Sequence, residues 1–360
     1  MEKITVQEFS TRLQSAGDTA AFNDFIFTFD VSVNKSKCKR LTFENCEFSK
    51  GFEVKDIGLE LGITFTECTF NANLIIQKVE ISDNFIEPRI DYRSISLLVE
   101  KCKILKSLAI NTVRILRDFT IIESTIYELI ISGLVSKEGS FNIKNSTIEY
   151  YVTLEQCVLA NSIRFITVNC KDSLRFTNNN ASSYLFENNT FDSNSWIWYG
   201  KLKEGIAISG GTYKKYFNVE SVDAQGSLSI SEAKFESNVS IAYECKNGGK
   251  LYRHGFSKIY LSNCEFNYGL FIDGKRFSDD NYPVEKIDIH LSQLMKGEIN
   301  IDGFDISELN INGTNYNCNV VLNNNRFNSI SFNRLTNLST INIMNSKANA
   351  QGNIPINFVQ

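Results

Sequence analysis

Leu41-Thr42-Phe43-Glu44-Asn45-Cys46-Glu47-Phe48, followed by Phe52-Glu53-Val54, is the stretch that decides the fold. The same pattern returns as Ile63-Thr64-Phe65-Thr66-Glu67-Cys68-Thr69-Phe70, followed by Leu74-Ile75-Ile76. It reads apolar-x-apolar-x-x-small-x-apolar, a short gap, then apolar-x-apolar. Further copies begin at Leu97, Phe119, Phe141, Tyr184, Ile206, Leu228, Ile259 and Ile287. The small residue falls at Cys46, Cys68, Cys102, Ser124, Ser146, Asn189, Gly211, Ala233, Cys264 and Ser292. Five of the intervals between these positions are 22 residues, and the others (34, 43, 31 and 28) mark extra or irregular segments. Weaker copies recur about every 11 residues, at Cys157 and then at Phe304, Thr314, Asn325, Leu335 and Ser346.

Each copy holds two short runs with period 2, broken by Asn, Ser or Gly, which signals half-buried strands. A fixed period of this length is the mark of a solenoid. One unit cannot bury its apolar residues alone. Stacked at about 4.8 Å per layer, equivalent side chains form continuous internal ladders. Phe48, Phe70, Phe191, Phe235 and Phe266 are expected to form one such ladder, with the small residue placed where the wall bends.

The pattern resembles the right-handed parallel β-helix proteins, the pectate-lyase-like architecture, over roughly residues 37–347. The steps of five from Phe43 to Phe48 and from Phe65 to Phe70 are also similar to pentapeptide-repeat proteins. There the step runs on unbroken, whereas here it breaks at Phe52 and Val54, so a three-sided coil of about 22 residues is the better match. The expected fold is therefore all-β: a single right-handed parallel β-helix with a short N-terminal helical cap. The resemblance speaks to fold and not to activity, because such architectures host many functions.

Three parts are expected. Residues 1–36 read as an N-terminal cap, 37–347 as the β-helix, and 348–360 as a C-terminal tail or loose cap. An uncovered terminal rung exposes apolar core and unpaired strand edge. Thr5-Val6-Gln7-Glu8 reads as a capping box opening a short helix, with Phe9 and Leu13 on one face and Gly17 as its stop. Residues 22–33, with Phe22, Phe25, Phe27 and Phe29, read as a lead-in strand. No helical cap is legible at the other end, which points to possible self-association through the C-terminal rung.

Composition narrows the function classes. The chain has 42% hydrophobic residues, only 3 Pro and 27 Phe, as suits backbone committed to ladder hydrogen bonds. The net charge of −4 and pI near 5.5, without a dense Lys/Arg cluster, argue against a nucleic-acid partner. The imbalance is also too small for mimicry of a nucleic acid. Met1 to Asp30 lacks the features of a secretory signal, and no apolar run is long enough to span a membrane. Nine cysteines without a Cys-x-x-Cys pair read as buried thiols of a cytoplasmic protein. His254 and His290 are the only histidines, so no metal site and no cofactor is expected.

No catalytic constellation stands out. Asp273, Asp279, Asp280, Asp288 and Asp302 are scattered over loops and strands, and paired carboxylates for glycoside hydrolysis must face each other across about 5 to 9 Å. The informative irregularity is the placement of insertions. The connections from Ile76 to Leu97, Ile241 to Ile259 and Ile272 to Ile287 are long and leave the same corner of the coil. The last two leave successive rungs and carry Tyr243, Tyr252, Arg253, His254, Lys275, Arg276, Asp279, Asp280 and Tyr282. These are the candidate partner-binding residues, since insertions on one face of a solenoid often mark its binding face and Tyr and Arg favour interfaces. His254 alone reads as a loop residue rather than a catalyst. As surface excursions, both loops are expected to tolerate shortening with little loss of stability. Trp196 and Trp198 share one face of a strand, and either an internal stack or an exposed aromatic shelf fits.

The leading expectation is a non-enzymatic binding or scaffold protein that presents a rigid wall and its edge loops to a protein partner. The alternatives are a carbohydrate-active enzyme or carbohydrate-binding protein of the pectate-lyase-like class, and a subunit stacking through its terminal rung.

Overall fold

Inward apolar residues at fixed spacing place the strands one above another. In the computed structural model, Leu41 pairs with Ile63 and Phe43 with Phe65, then Phe48 with Phe70, and Phe52 with Leu74. Every one of these pairings is parallel. The protein is all-β, a single parallel β-solenoid of about 22 residues per turn, with one short helix at its N-terminus. The structure describes residues 1–34, 36–82, 95–247, 249–291, 295–313, 316–335, 340–348 and 356–359. Among them, no helix is long and apolar enough to cross a membrane.

The turn is subdivided more finely than its sequence pattern indicates. One turn comprises four strand segments, Phe141–Lys144, Thr147–Ile148, Val152–Glu155 and Val158–Leu159, rather than two. Its two halves are alike. Asn45, Asp56, Glu67 and Lys78, eleven residues apart, have φ of 48°, 51°, 53° and 50°, so each half turns through one left-handed residue. The next residue in each case, Cys46, Ile57, Cys68 or Val79, is buried. Hence the weaker copies every 11 residues are half-turns: Cys157, Asn325 and Ser346 follow left-handed Gln156, Asn324 and Asn345. Ser292 and Thr314 lie outside the described residues.

The small residue does more than fit a bend. The Cys46 thiol donates to the carbonyl of Glu44 at 3.3 Å and of Phe22 at 3.3 Å, and Cys68 repeats this with Thr66 and Phe43. The Ser124 hydroxyl donates to Ile122 at 2.9 Å while accepting from the Cys102 amide at 3.0 Å. A short donor at this position gives its own polar atom a partner inside the core, sharing carbonyls that already accept an amide of the neighbouring rung: Glu44 from Asp24, Thr66 from Asn45 and Ile122 from Lys101.

The chain divides into two compact units, Met1–Asp172 with Asn179–Ser182, and Ser173–Asn178 with Ser183–Gln360. In the first, Thr5 caps helix α1 (Val6–Ser15): its hydroxyl accepts from the Glu8 amide, and the Glu8 carboxylate accepts from the Thr5 amide. Phe9 and Leu13 are buried, and the Phe9 ring lies 5.0 Å from Phe22 and 5.7 Å from Phe27. The expected lead-in strand is instead a rung of three strand segments. Thr19–Asn23 pairs with Arg40–Glu44, Phe25–Phe27 with Glu47–Phe48, and Val31–Val33 with Phe52–Val54. Phe27, Phe48 and Phe70 stack at 4.6 Å per step, and Ile104, Ile126 and Ile148 continue their column.

The second unit has its own aromatic column. Phe191, Tyr213, Phe235 and Phe266 follow one another at 5.3, 4.9 and 5.1 Å. The Phe residues read as one ladder thus occupy equivalent inward positions in each unit, with aliphatic residues in the same column. The C-terminal Ile356–Val359 strand pairs in parallel with Ile330–Asn333, and residues 349–355 lie outside the described residues.

Candidate functional site

The two long connections of the second unit leave the wall side by side, because Ala242 and Asp273, the last residues of their strands, are register partners. The third long connection has its middle, residues 83–94, outside the described residues. After Tyr243 the chain forms an antiparallel hairpin, Glu244–Asn247 with Lys250–Arg253. The Asn247-Gly248-Gly249 run in the sequence is the turn signal for it, and Gly249 has φ of 79°. The hairpin was not among the expectations from spacing, which treat this stretch as loop. The other connection is shorter than its spacing indicates, since a strand already begins at Tyr282 and pairs with Phe304–Gly313.

Glu244 joins the two connections, and its importance is not visible in the sequence. Its side chain is fully buried, and one carboxylate oxygen accepts from the amides of Arg276, Phe277 and Ser278 at 2.9, 2.8 and 3.1 Å. The Ser278 hydroxyl donates to the other oxygen. Three successive amides converging on one anion form a backbone nest. Arg253 Nε stands 3.1 Å from the same carboxylate as an ion pair, and its Nη2 donates to the Asp280 carbonyl at 2.5 Å. Burial alone would raise the Glu244 pKa; the Ser278 hydroxyl and the three amides outweigh it and hold the carboxyl below its ordinary 4.5.

The expected partner-binding residues divide into three groups. Tyr243 is 1% exposed, which corrects its reading as a contact residue. Its hydroxyl donates to the Phe256 carbonyl at 2.9 Å, and its ring packs edge-on against Tyr282 at 4.7 Å and Phe304 at 5.1 Å. It anchors the loop base instead. Arg253, Arg276, Lys275 and Tyr282 hold the loops together. Arg276 reaches Asp273 at 2.9 Å, Ser240 at 3.1 Å and Glu220 at 3.5 Å. Lys275 donates to the Asp279 carbonyl at 3.3 Å, and Arg253 lies over the Tyr282 ring. The exposed Asp279 and Asp280 engage these cations through their carbonyls. Tyr252 and His254 form the third group, on the opposite side of the hairpin.

There, an open groove of about 470 Å³ separates the hairpin from the wall corner beneath it. Tyr199, Lys201 and Asp223 line it from the wall, and Lys250, Tyr252 and His254 from the hairpin. Tyr199 is one of the left-handed corner residues, φ 53°, which turns its ring out to meet Tyr252 at 5.2 Å. The Ser221 hydroxyl donates to the Tyr252 carbonyl at 3.2 Å, and His254 Nδ1 lies 3.9 Å from Asp223. Burial, then the contact with Cys245, pushes the Tyr199 phenol up from its ordinary value.

Comparison with protein-family models, with curated proteins and with solved structures finds no match.

Trp196 and Trp198 resolve to an outward shelf. Ser195 and Ile197 point inward and are buried, while the Trp rings lie half-buried on the outer face, 5.7 Å apart. Arg175 stacks over Trp196 at 5.1 Å. Trp198 is the register neighbour of Glu220, the residue that Arg276 reaches. Of the scattered acids, Asp273 pairs with Arg276, Asp288 with Lys286 at 3.3 Å, and Asp302 accepts from Asn324 at 3.0 Å.

Proposed function

We propose that the chain is a non-enzymatic binding protein that presents the edge built from residues 242–258 and 273–286 to a protein partner. The observation that carries this reading is the lock on Glu244, which holds two exposed connections in one arrangement and leaves a groove beside them. The outer wall repeats from rung to rung and offers little to recognise, whereas loops on a rigid scaffold concentrate recognition. Preorganised loops also lose less conformational entropy on binding. Eight described cysteines are buried free thiols, which supports residence in a reducing compartment.

The test is site-specific photo-crosslinking in the native host. A photoreactive residue at 250 or 252 is expected to capture one defined protein, and one at exposed Lys103 is not. Discrete adducts from 103 with none from 250 or 252 would overturn the reading. Because the proposal excludes catalysis, pectin and alginate are expected to yield no reducing or unsaturated ends. Steady release of such ends, abolished by Asp279→Asn or Asp280→Asn, would contradict it.

The Trp shelf supports a second reading, carbohydrate binding of the pectate-lyase-like class. Paired outward indoles beside Glu220 present apolar faces next to a carboxylate that accepts from hydroxyls. Retardation in polysaccharide-containing native gels, lost in Trp196→Ala/Trp198→Ala, distinguishes it. Unchanged mobility in a panel of neutral and acidic glycans would remove it.

A further inference from the structure

We infer that the groove between the hairpin and the wall corner receives a short acidic segment of the partner protein. This rests on the reading of the two loops as a binding edge and names the chemistry recognised there. Residues 242–258 hold Lys246, Lys250, Arg253 and Lys258 against a single acid, Glu244, a net of +3 in a chain of net −4. The remainder of the chain therefore carries −7. The segment that forms one bank of the groove is thus locally basic on a chain that is acidic overall, and complementary potentials of this kind steer association.

Nor does Glu244 offset the groove's charge from the side facing solvent. It is fully buried, and three amides, a hydroxyl and Arg253 satisfy it internally. Arg253 is itself committed to that lock. Lys201 and Lys250 remain, one on each bank, against one carboxylate in the lining, Asp223, which is the register neighbour of Lys201 and lies 3.9 Å from His254 Nδ1; among the described residues neither lysine is in an ion pair. Lys250 instead lies 5.2 Å over the Tyr252 ring. Between the banks, Tyr199 and Tyr252 supply an aromatic floor, their rings 5.2 Å apart. Two cations flanking aromatic rings suit carboxylates spaced along a peptide, with an apolar or aromatic side chain between them.

A nucleic acid would present the same sign of charge, but its backbone demands a long basic track. The groove offers two uncommitted cations, Lys201 and Lys250, too few for such a track.

The probe is a fluorescein-labelled peptide of six Glu residues around one central Tyr, titrated by anisotropy against the full chain. The expected results are saturable binding, weakening as salt rises from 50 to 500 mM, and no binding of the matched Gln peptide. Lys201→Glu/Lys250→Glu should weaken binding by about tenfold or more, since two charge contacts are lost and each reversal adds repulsion. Both side chains are exposed and unpaired, so folding should be unaffected; Lys201→Gln/Lys250→Gln, with a smaller loss, guards against a defect of the charge-reversed chain. Equal binding of the Gln peptide, no effect of either double variant, or tighter binding of a twelve-nucleotide single-stranded DNA would each overturn the inference. If crosslinks at 250 and 252 capture a partner while the acidic peptide fails to bind, the acidic chemistry is wrong and the binding edge stands. If neither is seen, both fall.

Discussion

At the scale of single residues, the core tests the register most directly. Phe48 is fully buried and stacked between Phe27 and Phe70, so Phe48→Ala should cost about 3 to 5 kcal/mol, read by chemical denaturation. The buried thiols give a second, pH-dependent measure. Burial pushes Cys264 from its ordinary 9.0 to about 11, and Cys157 to about 12. In the unfolded chain these thiols ionise near the ordinary value. The stabilising contribution is therefore complete below about pH 9 and lost as pH rises toward about 11 for Cys264. Alkylation of Cys46, Cys68 and Cys264 in the native protein should track global unfolding, and modification at the rate of an exposed thiol would refute the register. These inward positions were legible because alternation and burial impose apolar residues every second place. The left-handed corners were not, since Asn45, Glu67, Lys78 and Thr112 share a φ near 50° and almost no chemistry. Only the short donor after some of them, Cys46, Cys68 or Ser124, is conspicuous in the pattern. Its reason, a bond to the carbonyl two residues back, emerges only with the backbone in place.

At the scale of elements, the existence and adjacency of the two long connections followed from counting residues between strands. Their internal packing did not, because nothing in the spacing distinguishes a loop that floats from one that is nailed down. Tyr243 and Phe256 are buried and Glu244 sits in its nest, so shortening both connections should lower the melting temperature, contrary to the expectation for free surface loops. The sharper experiment is Glu244→Gln. The substitution removes the charge and turns an NH2 toward one set of donors, either the amides of 276–278 or the Ser278 hydroxyl and Arg253; the cost should be roughly 2 to 4 kcal/mol. Since the Glu244 carboxyl is held below 4.5, its stabilisation is present above that pH and is lost as pH falls through the lower folded value. Protection of the amides in 244–253 and 274–281, taken relative to their intrinsic exchange rate at each pH, should fall on acidification below about pH 4.5 in the native chain. In the Gln variant it should already be low at neutral pH. Unchanged protection of both segments in the variant would show that the nest is incidental.

At the scale of the whole molecule, a parallel solenoid has no closed sheet, so each exposed end presents unpaired amides and carbonyls beside apolar core. The ladder that stabilises every interior rung would, at such an end, recruit any strand offered to it. In the N-terminal unit, helix α1 meets that hazard. Phe9 and Leu13 lie over the first rung, with Phe9 tilted onto Phe22 and set edge-on to Phe27, and the Thr5–Glu8 capping box fixes where the helix starts. The strand before it, Glu2–Ile4, pairs with Phe25–Phe27 and occupies part of the otherwise open edge. Phe9→Asp should therefore do two separable things. It should destabilise the unit by about 3 kcal/mol or more, because a charge replaces a buried ring. It should also make the chain self-associate with rising concentration, read by light scattering at a temperature where circular dichroism still reports full strand content. A variant that is less stable but shows no concentration-dependent scattering would mean that α1 contributes packing alone. The first rung would then be protected by the Glu2–Ile4 pairing instead.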